Sequence, residues 1–196
     1  MNNKNISKYS PVIKMISLLL ISIACKHSYT PKPRGYFRID FPEKEYTRYH
    51  SNCNYMFEYP VYGKIAEIDA PSLEPCWINI EFPQFKGKIH ITYKKMTENL
   101  ASYSEDIRTL VYKHIVKADD IIETPVVIPE KKVYGMLYEI KGNTASSLNF
   151  YLTDSMKNFL SGALYFNTIP NKDSLAPVIS FFKADIEHLI ETLEWE

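Results

Sequence analysis

The sequence predicts an α+β fold in which a mostly antiparallel sheet packs against two helices. Three observations support this prediction. Short runs of β-branched and aromatic residues recur along the chain, turn-forming residues separate them, and two longer segments carry apolar residues every three or four positions. Two amphipathic helices and about nine short strands need a common surface on which to bury their apolar sides, so layers of helix and sheet are expected.

The first half of the domain is predicted to consist of strands separated by prolines. The last of these strands alternates polar and apolar residues, as a half-buried strand does. His90 lies on its polar side, and we expect a surface histidine rather than a ligand or a base. The predicted strands are 36–40, 55–59, 64–68, 76–82 and 88–93.

The pattern changes to a helical period between residues 98 and 117, where apolar residues share one face. Ser102, with Glu105 three positions later, matches a capping box near the start of this helix. His114 lies at the edge of the apolar face, which is typical of a histidine at the boundary of a core.

Directly after this helix, Asp119 and Asp120 form a pair of adjacent acids. Paired carboxylates can share a proton or bind a cation. Neighbouring acids after a helix are more often solvated or cap the helix. We therefore expect Asp119 and Asp120 to be solvated or capping residues.

A second series of strands and a long final helix complete the predicted domain. Four consecutive strands joined by short turns indicate a meander. Apolar residues from Leu175 to Leu193 share one face of the helix. Asp173 or Ser174 is expected to cap it, with Pro177 in its first turn. The predicted strands are 124–128, 132–141, 147–153 and 158–167.

The N-terminus has the features of a bacterial lipoprotein signal peptide. Basic residues precede an apolar stretch at 12–23, and small residues lead to Cys25. An uncleaved membrane helix is the alternative, but the stretch is shorter than the about 20 residues that a spanning helix needs. We therefore expect removal of residues 1–24, acylation of Cys25 with palmitate-type chains, and one periplasmic domain at 36–196.

Residues 25–35 are predicted to form an extended tether, because they contain two prolines and a glycine. A docking segment is the alternative, and its candidate partner-binding residues are Pro31, Pro33, Arg34, Tyr36 and Arg38. Nearby aromatic residues either form a partner-facing patch or pack within the domain. These residues are Tyr29, Tyr36, Phe37, Tyr46 and Tyr49.

Cys53 and Cys76 remain once Cys25 is assigned to the lipid anchor. An even pair of cysteines in an exported chain favours a disulfide, which stabilises a fold by roughly 3 kcal/mol in the chain-entropy model. Two free thiols are the alternative. A zinc site is disfavoured, because neither cysteine has a second cysteine or a histidine at zinc-finger spacing.

Composition and motifs argue against several classes of function. The chain carries 23 basic and 23 acidic residues without a basic stripe, so nucleic acid is not an expected partner. The sequence lacks the H-E-x-x-H, G-x-S-x-G, Walker and G-x-G-x-x-G motifs. We therefore expect no catalytic residues, no metal site and no cofactor.

Two resemblances extend this prediction. The order of strands, helix, meander and final helix, with Tyr55-Met-Phe-Glu-Tyr-Pro60 near the start, resembles a Mog1/PsbP-type sandwich. Such a fold serves mainly binding and assembly roles and implies no particular activity. Over essentially the whole mature chain, motifs in fixed order also resemble the gliding motility lipoprotein GldD family. They are Cys25, 29–40 (YTPKPRGYFRID), Cys53 and Cys76, 117–121 (KADDI), 130–136 (EKKVYGM), 150–154 (FYLTD) and 191–195 (ETLEW).

The second resemblance implies a lipoprotein of gliding bacteria of the Bacteroidetes group, required for gliding and linked to the motility and type IX secretion apparatus. It implies no catalytic residues, and it suggests the membrane protein GldE as a partner. The leading hypothesis is a non-enzymatic assembly or stabilising component, anchored by Cys25 to the inner or the outer membrane. The alternative is a periplasmic small-ligand binder or enzyme with a pocket near Asp119 or His114.

Overall fold

Ten strands and two helices form in the part of the chain that the structure, a computed structural model, describes: residues 38–68, 76–97 and 99–196. The helices are α1 (Leu100–Tyr112) and α2 (Lys172–Thr192). The strands are β1 (Tyr46–His50), β2 (Tyr55–Pro60), β3 (Lys64–Glu67), β4 (Ile78–Phe82), β5 (Gly87–Lys95), β6 (Ala118–Ile128), β7 (Val133–Gly142), β8 (Ser146–Thr153), β9 (Asn158–Phe166) and β10 (Glu194–Trp195).

The strands make two sheets. Seven strands form a large sheet in the order β3-β4-β5-β9-β8-β7-β6, and three form a small sheet in the order β1-β2-β10. All of the strand pairs are antiparallel. The predicted α+β class, with a mostly antiparallel sheet and two packed helices, is confirmed.

The main core lies on the face of the large sheet that α2 and the small sheet cover. Ile89 and Ile91 of β5 meet Phe182 and Ile186 of α2 there, and all four are at most 1% exposed. Burying a large apolar side chain contributes about 1.5–3 kcal/mol. Because side chains alternate along a strand, the residues between these core positions face the other side of the sheet.

Helix α1 covers part of that other side. Val111 packs on Tyr138 and Ile140 of β7. The hydroxyl of Tyr112 donates a hydrogen bond of 2.9 Å to the carboxylate of Glu123 in β6. The helix is therefore held over β6 and β7, and a gap remains beside it over β5 and β9.

The predicted strand at 36–40 is wrong in its described part, because residues 38–40 pair with no strand. Ile39 instead packs against the main core. The first strand of the described residues is β1, which pairs with β2. Sequence periodicity misses β1, since Thr47, Arg48 and His50 are all exposed and leave no apolar alternation.

Both helices begin at asparagine caps. The Oδ1 atom of Asn99 accepts a backbone N–H of α1 at 3.0 Å, and that of Asn171 accepts the N–H of Ser174 at 3.1 Å. The predictions of a capping box at Ser102 and of a cap at Asp173 or Ser174 are therefore wrong. Asparagine is as good a cap as serine or aspartate, so residue type alone does not choose among neighbours.

Two further boundaries differ from the prediction. Pro177 lies inside α2, beyond the first turn, so that α2 lacks one backbone hydrogen bond. Helix α1 ends at Tyr112, a 3₁₀ turn follows at Lys113–Val116, and β6 already begins at Ala118. Asp119 and Asp120 are thus strand residues rather than helix caps.

Cys53 and Cys76 form a disulfide, with their Cα atoms 6.2 Å apart. The bond joins the segment before β2 to the segment before β4. The hydroxyl of Tyr55 also donates to the carbonyl oxygen of Cys76 at 3.1 Å. This covalent link ties the small sheet to the large one.

Thiol labelling of the denatured, unreduced protein isolated from cells should leave Cys53 and Cys76 unmodified, because an exported chain keeps its disulfide. Mass spectrometry of the labelled peptides measures the modification. A reduced sample, in which both cysteines react, is the control. Labelling of both positions without reduction would contradict the pairing.

Most of the anchor and tether residues lie outside the described residues. These are Cys25, Pro31, Pro33, Arg34 and Tyr36, together with the aromatic residues Tyr29 and Phe37. Arg38 is described and exposed. Within the described ranges, no helix combines the length and the apolar character that a membrane crossing requires.

Candidate functional site

A groove of about 540 Å³ lies between α1 and the large sheet. Its floor consists of side chains of β5, β8 and β9, and α1 forms one wall. We call it the helix–sheet groove. The sheet contributes His90, Thr92, Asn149, Ser161 and Ala163, Trp77 lies just before β4, α1 contributes Tyr103, Ile107 and Leu110, and His114 follows α1.

One row of residues across three strands shapes the floor of this groove. His90 in β5 pairs with Ala163 in β9, and Ala163 pairs in turn with Asn149 in β8. Since neighbouring strands are about 4.8 Å apart, His90 and Asn149 are separated by roughly 10 Å. The small methyl group of Ala163 leaves a depression between the two longer side chains.

Two buried donors in the groove have no hydrogen-bond partner within the described chain: Nε1 of Trp77 and Nδ2 of Asn149. The other amide atom of Asn149, Oδ1, accepts a hydrogen bond of 3.2 Å from the Ser146 hydroxyl. Leaving a buried polar group unsatisfied costs about 1–3 kcal/mol, and such groups are rare in native proteins. Both atoms are fully buried, so they lie beneath the surface of the groove rather than open to it.

The remaining polar groups of the floor are paired with protein atoms. The Thr92 and Ser161 hydroxyl oxygens are 2.7 Å apart, and Nδ1 of His90 is 2.9 Å from Oδ1 of Asn79. Because an amide oxygen only accepts, Nδ1 carries the proton and Nε2 is an acceptor. Burial, and to a smaller extent Lys88, lowers the pKa of His90, which favours neutral imidazole. His90 is half-buried in the groove rather than a solvated surface residue.

Positive charge predominates around the groove. Lys94 of β5 and Lys113, which follows α1, line it together with one acid, Asp106 of α1. The apolar wall is Ile107 and Leu110, and Leu110 is 54% exposed. Apolar walls with a few polar groups directed at one place are typical of small-molecule sites.

The other candidate residues from the sequence, His114, Asp119 and Asp120, do not all lie at the groove. His114 lines the groove at its α1 wall. Asp119 is exposed and accepts a hydrogen bond of 2.5 Å from Nζ of Lys172, and the carboxylate of Asp120 accepts the backbone N–H of Ile121. Neither aspartate lines the groove. The described residues contain no group of three or more His, Cys, Asp or Glu side chains that could hold a metal ion.

A second feature is an exposed apolar surface at the end of α1, which we call the apolar corner. Val116 is 88% exposed and Ile115 is 58% exposed. Val116 and Pro170 line one small hollow with Lys113 and Lys117, and the neighbour of Pro170, Ile169, is 86% exposed. Ile115 and Ile169 are the chain neighbours of Val116 and Pro170, and exposed apolar side chains grouped in this way are typical of interaction sites. The apolar corner is Ile115, Val116, Ile169 and Pro170.

Among the described residues, the most deeply buried charged side chain is that of Asp185 in α2, which is 1% exposed. Its carboxylate accepts from Nζ of Lys44 at 2.7 Å, from the Tyr62 hydroxyl at 2.6 Å and from the Tyr46 hydroxyl at 3.1 Å. Nζ of Lys44 also donates to the carbonyl oxygen of Phe181 and lies 3.3 Å from the centre of its ring. We call these residues the Asp185 cluster.

The electrostatics of the Asp185 cluster indicate a structural clamp. Burial, and then the neighbouring Asp185 charge, raises the pKa of Tyr46 to about 12 and raises that of Tyr62 further. Burial lowers the pKa of Lys44, and the bond to Asp185 partly offsets this effect. Each of these polar groups has a hydrogen-bond partner within the cluster. The cluster therefore fastens the segment before β1 to α2.

The aromatic residues near the tether pack within the domain where they are described. Tyr46 stacks on His188 with ring centres 3.6 Å apart. Tyr49 lies 5.4 Å from the ring of Phe57 and 6.3 Å from that of Tyr55. For Tyr46 and Tyr49, packing rather than a partner-facing patch is what the structure shows.

Sequence reasoning misses Trp77, Asn149 and Asp185. Asn149 has a detectable signal, because it is a polar residue at an outward position between the buried apolar residues Leu148 and Phe150. Asp185 is indistinguishable in sequence from the exposed acids of α2, since its burial depends on Lys44 and Tyr62 elsewhere in the chain.

Comparison with known proteins gives one structural neighbour and a family. The structure is similar to the solution structure of cyanobacterial PsbP (CyanoP) from Synechocystis sp. PCC 6803, with a TM-score of 0.45 and 11% identity, covering 79% of this chain and 95% of that chain. A search of curated proteins found no match. The model of the family described as gliding motility lipoprotein GldD matches residues 26–195. The chain therefore belongs to the gliding motility lipoprotein GldD family, whose members are membrane-anchored and take part in gliding motility.

Proposed function

We propose that this lipoprotein is a non-enzymatic assembly or stabilising component of the motility and type IX secretion machinery. It faces the periplasm and binds an envelope protein of that machinery, with GldE as the first candidate. The apolar corner carries this proposal, because a domain held at a membrane can present such a surface to a neighbouring membrane protein. Lys113 and Lys117 beside the corner favour a partner surface with acidic groups.

Attachment through the lipid of Cys25 is the first testable part of the proposal. Acyl chains on one cysteine give stable membrane binding, since they supply more than the single chain that binds only marginally. Cys25→Ser should abolish acylation and release the domain to the soluble periplasmic fraction. Fractionation with immunoblotting measures this, and Cys53→Ser is the matched control that should remain in the membrane. Unchanged membrane retention of Cys25→Ser would contradict a lipid anchor.

The second test concerns the apolar corner. A photo-crosslinking residue at position 116 should capture envelope proteins of the motility or secretion apparatus in living cells, and Val116→Asp should reduce colony spreading. Met156, a 77% exposed residue of the β8–β9 turn, is the control position for both changes. The protein level must stay constant in each strain. Normal spreading of Val116→Asp, or capture of the same proteins from both positions, would overturn the assignment of this surface.

The tether is a separate part of the proposal. Pro31, Pro33, Arg34, Tyr36 and Arg38 would contact an envelope partner on their own account, with the prolines limiting the entropy lost on binding. The contribution of the two arginines would be electrostatic and would weaken with salt.

A further inference from the structure

We propose that an extended, acidic segment of a partner protein binds along the helix–sheet groove. Its carboxylates lie at four lysines at one end of the groove, and its apolar side chains lie against α1. This inference rests on the proposed function and deepens it, because it names the chemistry of the partner segment that continues from the apolar corner. Three observations carry it: the continuity of the groove with two hollows, the uneven charge of those hollows and the exposed apolar wall of α1.

The helix–sheet groove is continuous with two neighbouring hollows. It shares His90 and Tyr165 with a hollow of about 860 Å³ at the turn between β4 and β5, which we call the outer hollow. It shares Lys113 and His114 with the small hollow beside the apolar corner. A segment bound at the apolar corner can therefore continue into the groove.

Four exposed lysines line these two hollows, and we call them the basic end. Lys86 and Lys88 line the outer hollow, and Lys113 and Lys117 line the small hollow. None of the four makes an ion pair with an acid of the described residues. Lys94 lines the groove farther along but already has a contact within the chain, so it is not part of the basic end.

Strand register brings the two lysine pairs close together. Lys88 pairs with Tyr165, and Tyr165 pairs with Ser146, whose chain neighbour Ala145 lines the small hollow. Neighbouring strands are about 4.8 Å apart, so Lys88 and Ser146 are separated by roughly 10 Å. About three or four residues of an extended chain cover that distance. A short acidic run can thus reach both hollows at once.

The charge at the basic end differs from that of the chain as a whole. The chain carries 23 basic and 23 acidic residues. Among the described residues that line the outer and small hollows, Glu81 is the one acid, and it lies opposite Lys88 in the sheet. The remaining positive charge attracts an acidic segment and repels a basic one.

Beyond the basic end, the α1 wall offers apolar contacts. Leu110 is 54% exposed, and Ile107 lies on the same wall. Asp106 also lines this wall, so further acids of the partner would be repelled there. A phosphate polymer or a glycan could meet the lysines but would leave Leu110 uncovered. The wall therefore favours a peptide whose acidic run is followed by apolar residues.

The length of the groove sets the length of that peptide. Lys88 and Lys94 are six residues apart in β5, which corresponds to about 20 Å of strand. The Tyr103 ring marks the far end, since it lies 5.3 Å from that of Phe159, the residue that pairs with Lys94. With the acidic run, the bound segment is about ten residues long.

A labelled peptide tests the inference. The full-length protein in phosphatidylcholine nanodiscs is titrated into a rhodamine-labelled peptide of sequence EDEDGLVLGL, with empty nanodiscs as the blank. Two matched peptides replace the acids with their amides (QNQNGLVLGL) or with lysine (KKKKGLVLGL). A saturable rise in anisotropy is expected for the acidic peptide, and added salt should weaken it. The amide peptide should bind at least about fivefold more weakly.

Variants of the basic end locate the site. Lys88→Gln with Lys113→Gln removes one cation from each hollow and should weaken binding of the acidic peptide at least about fivefold. Lys141→Gln with Lys157→Gln is the matched control at exposed lysines outside the groove and both hollows, and it should bind normally. Lys88→Glu with Lys113→Glu should prefer the lysine peptide, which an unfolded variant would not do. Leu110→Ser should weaken binding of the acidic peptide by removing an apolar contact.

Four results would overturn the inference. They are the absence of saturable binding, equal binding of the acidic and amide peptides, unchanged binding by the Lys88→Gln and Lys113→Gln double variant, or stronger competition by polyphosphate than by the unlabelled acidic peptide. Circular dichroism checks that each variant is folded. The assay uses purified protein and no gliding cells, so it can fail while position 116 still crosslinks to envelope proteins. Failure of this inference is therefore distinguishable from failure of the proposed function.

Discussion

Asp185→Ala is expected to destabilise the folded protein by about 3 kcal/mol, the scale observed when one partner of a buried ion pair is removed. The substitution removes the acceptor of three hydrogen bonds, from Lys44, Tyr46 and Tyr62. Lys44 is partly accessible and can regain water, which limits the loss on its side. The two hydroxyl groups remain partly buried without their acceptor, and this accounts for much of the expected effect.

Urea unfolding followed by circular dichroism measures the free energy of unfolding of this variant. Asp185→Asn retains one acceptor oxygen and should fall between the original protein and the alanine variant. Asp106→Ala removes an exposed acid of α1 and should change stability by no more than about 0.5 kcal/mol. Equal stability of Asp185→Ala and Asp106→Ala would show that the Asp185 cluster does not hold the segment before β1 to α2.

Phe182→Ala is expected to be at least as destabilising, at about 3–5 kcal/mol, because it opens a cavity in the main core. Phe182 is fully buried. Its ring lies 4.4 Å from that of Phe82, 5.4 Å from that of Phe85 and 6.1 Å from that of Phe166. These three rings belong to strands β4 and β9 and to the turn after β4, which cannot all move to fill the space.

Thermal and urea unfolding of the same preparations test this expectation. Leu110→Ala is the control in α1, where the side chain is 54% exposed, and its expected cost is below about 1 kcal/mol. A loss of less than 1 kcal/mol for Phe182→Ala would mean that the core closes around the cavity. It would contradict the packing of α2 on the large sheet.

The local spacing of apolar residues was sufficient to predict most of the strands and both helices. The alternation in β5 correctly places Ile89 and Ile91 on one face and His90 on the other, because a strand alternates whatever its partner is. The spacing from Leu175 to Leu193 likewise locates α2 and the face that it buries. The prediction fails for β1, whose exposed side chains show no period, and at both helix caps, where several suitable residues are adjacent.

The candidate site required more than local pattern. His114 is recognisable in the sequence as a boundary residue, and Asp119 and Asp120 as solvated or capping acids, and the structure places both aspartates outside the groove. No sequence pattern indicates that Trp77 and Asn149 line one groove. These two residues come from distant parts of the chain and line one groove only when β4, β5, β9 and β8 are paired in order.

By itself, the sequence determined the α+β class, the lipoprotein character and the family from residue types at fixed spacing, and it determined the cysteine pair from the even number of cysteines left after Cys25. Tertiary structure alone decided which side chains face one another. His90, Ala163 and Asn149 form one row through strand register, and Asp185 becomes buried because Lys44 and Tyr62 reach it. Register and burial depend on partners far along the chain, and a period of two or 3.6 residues carries no information about them.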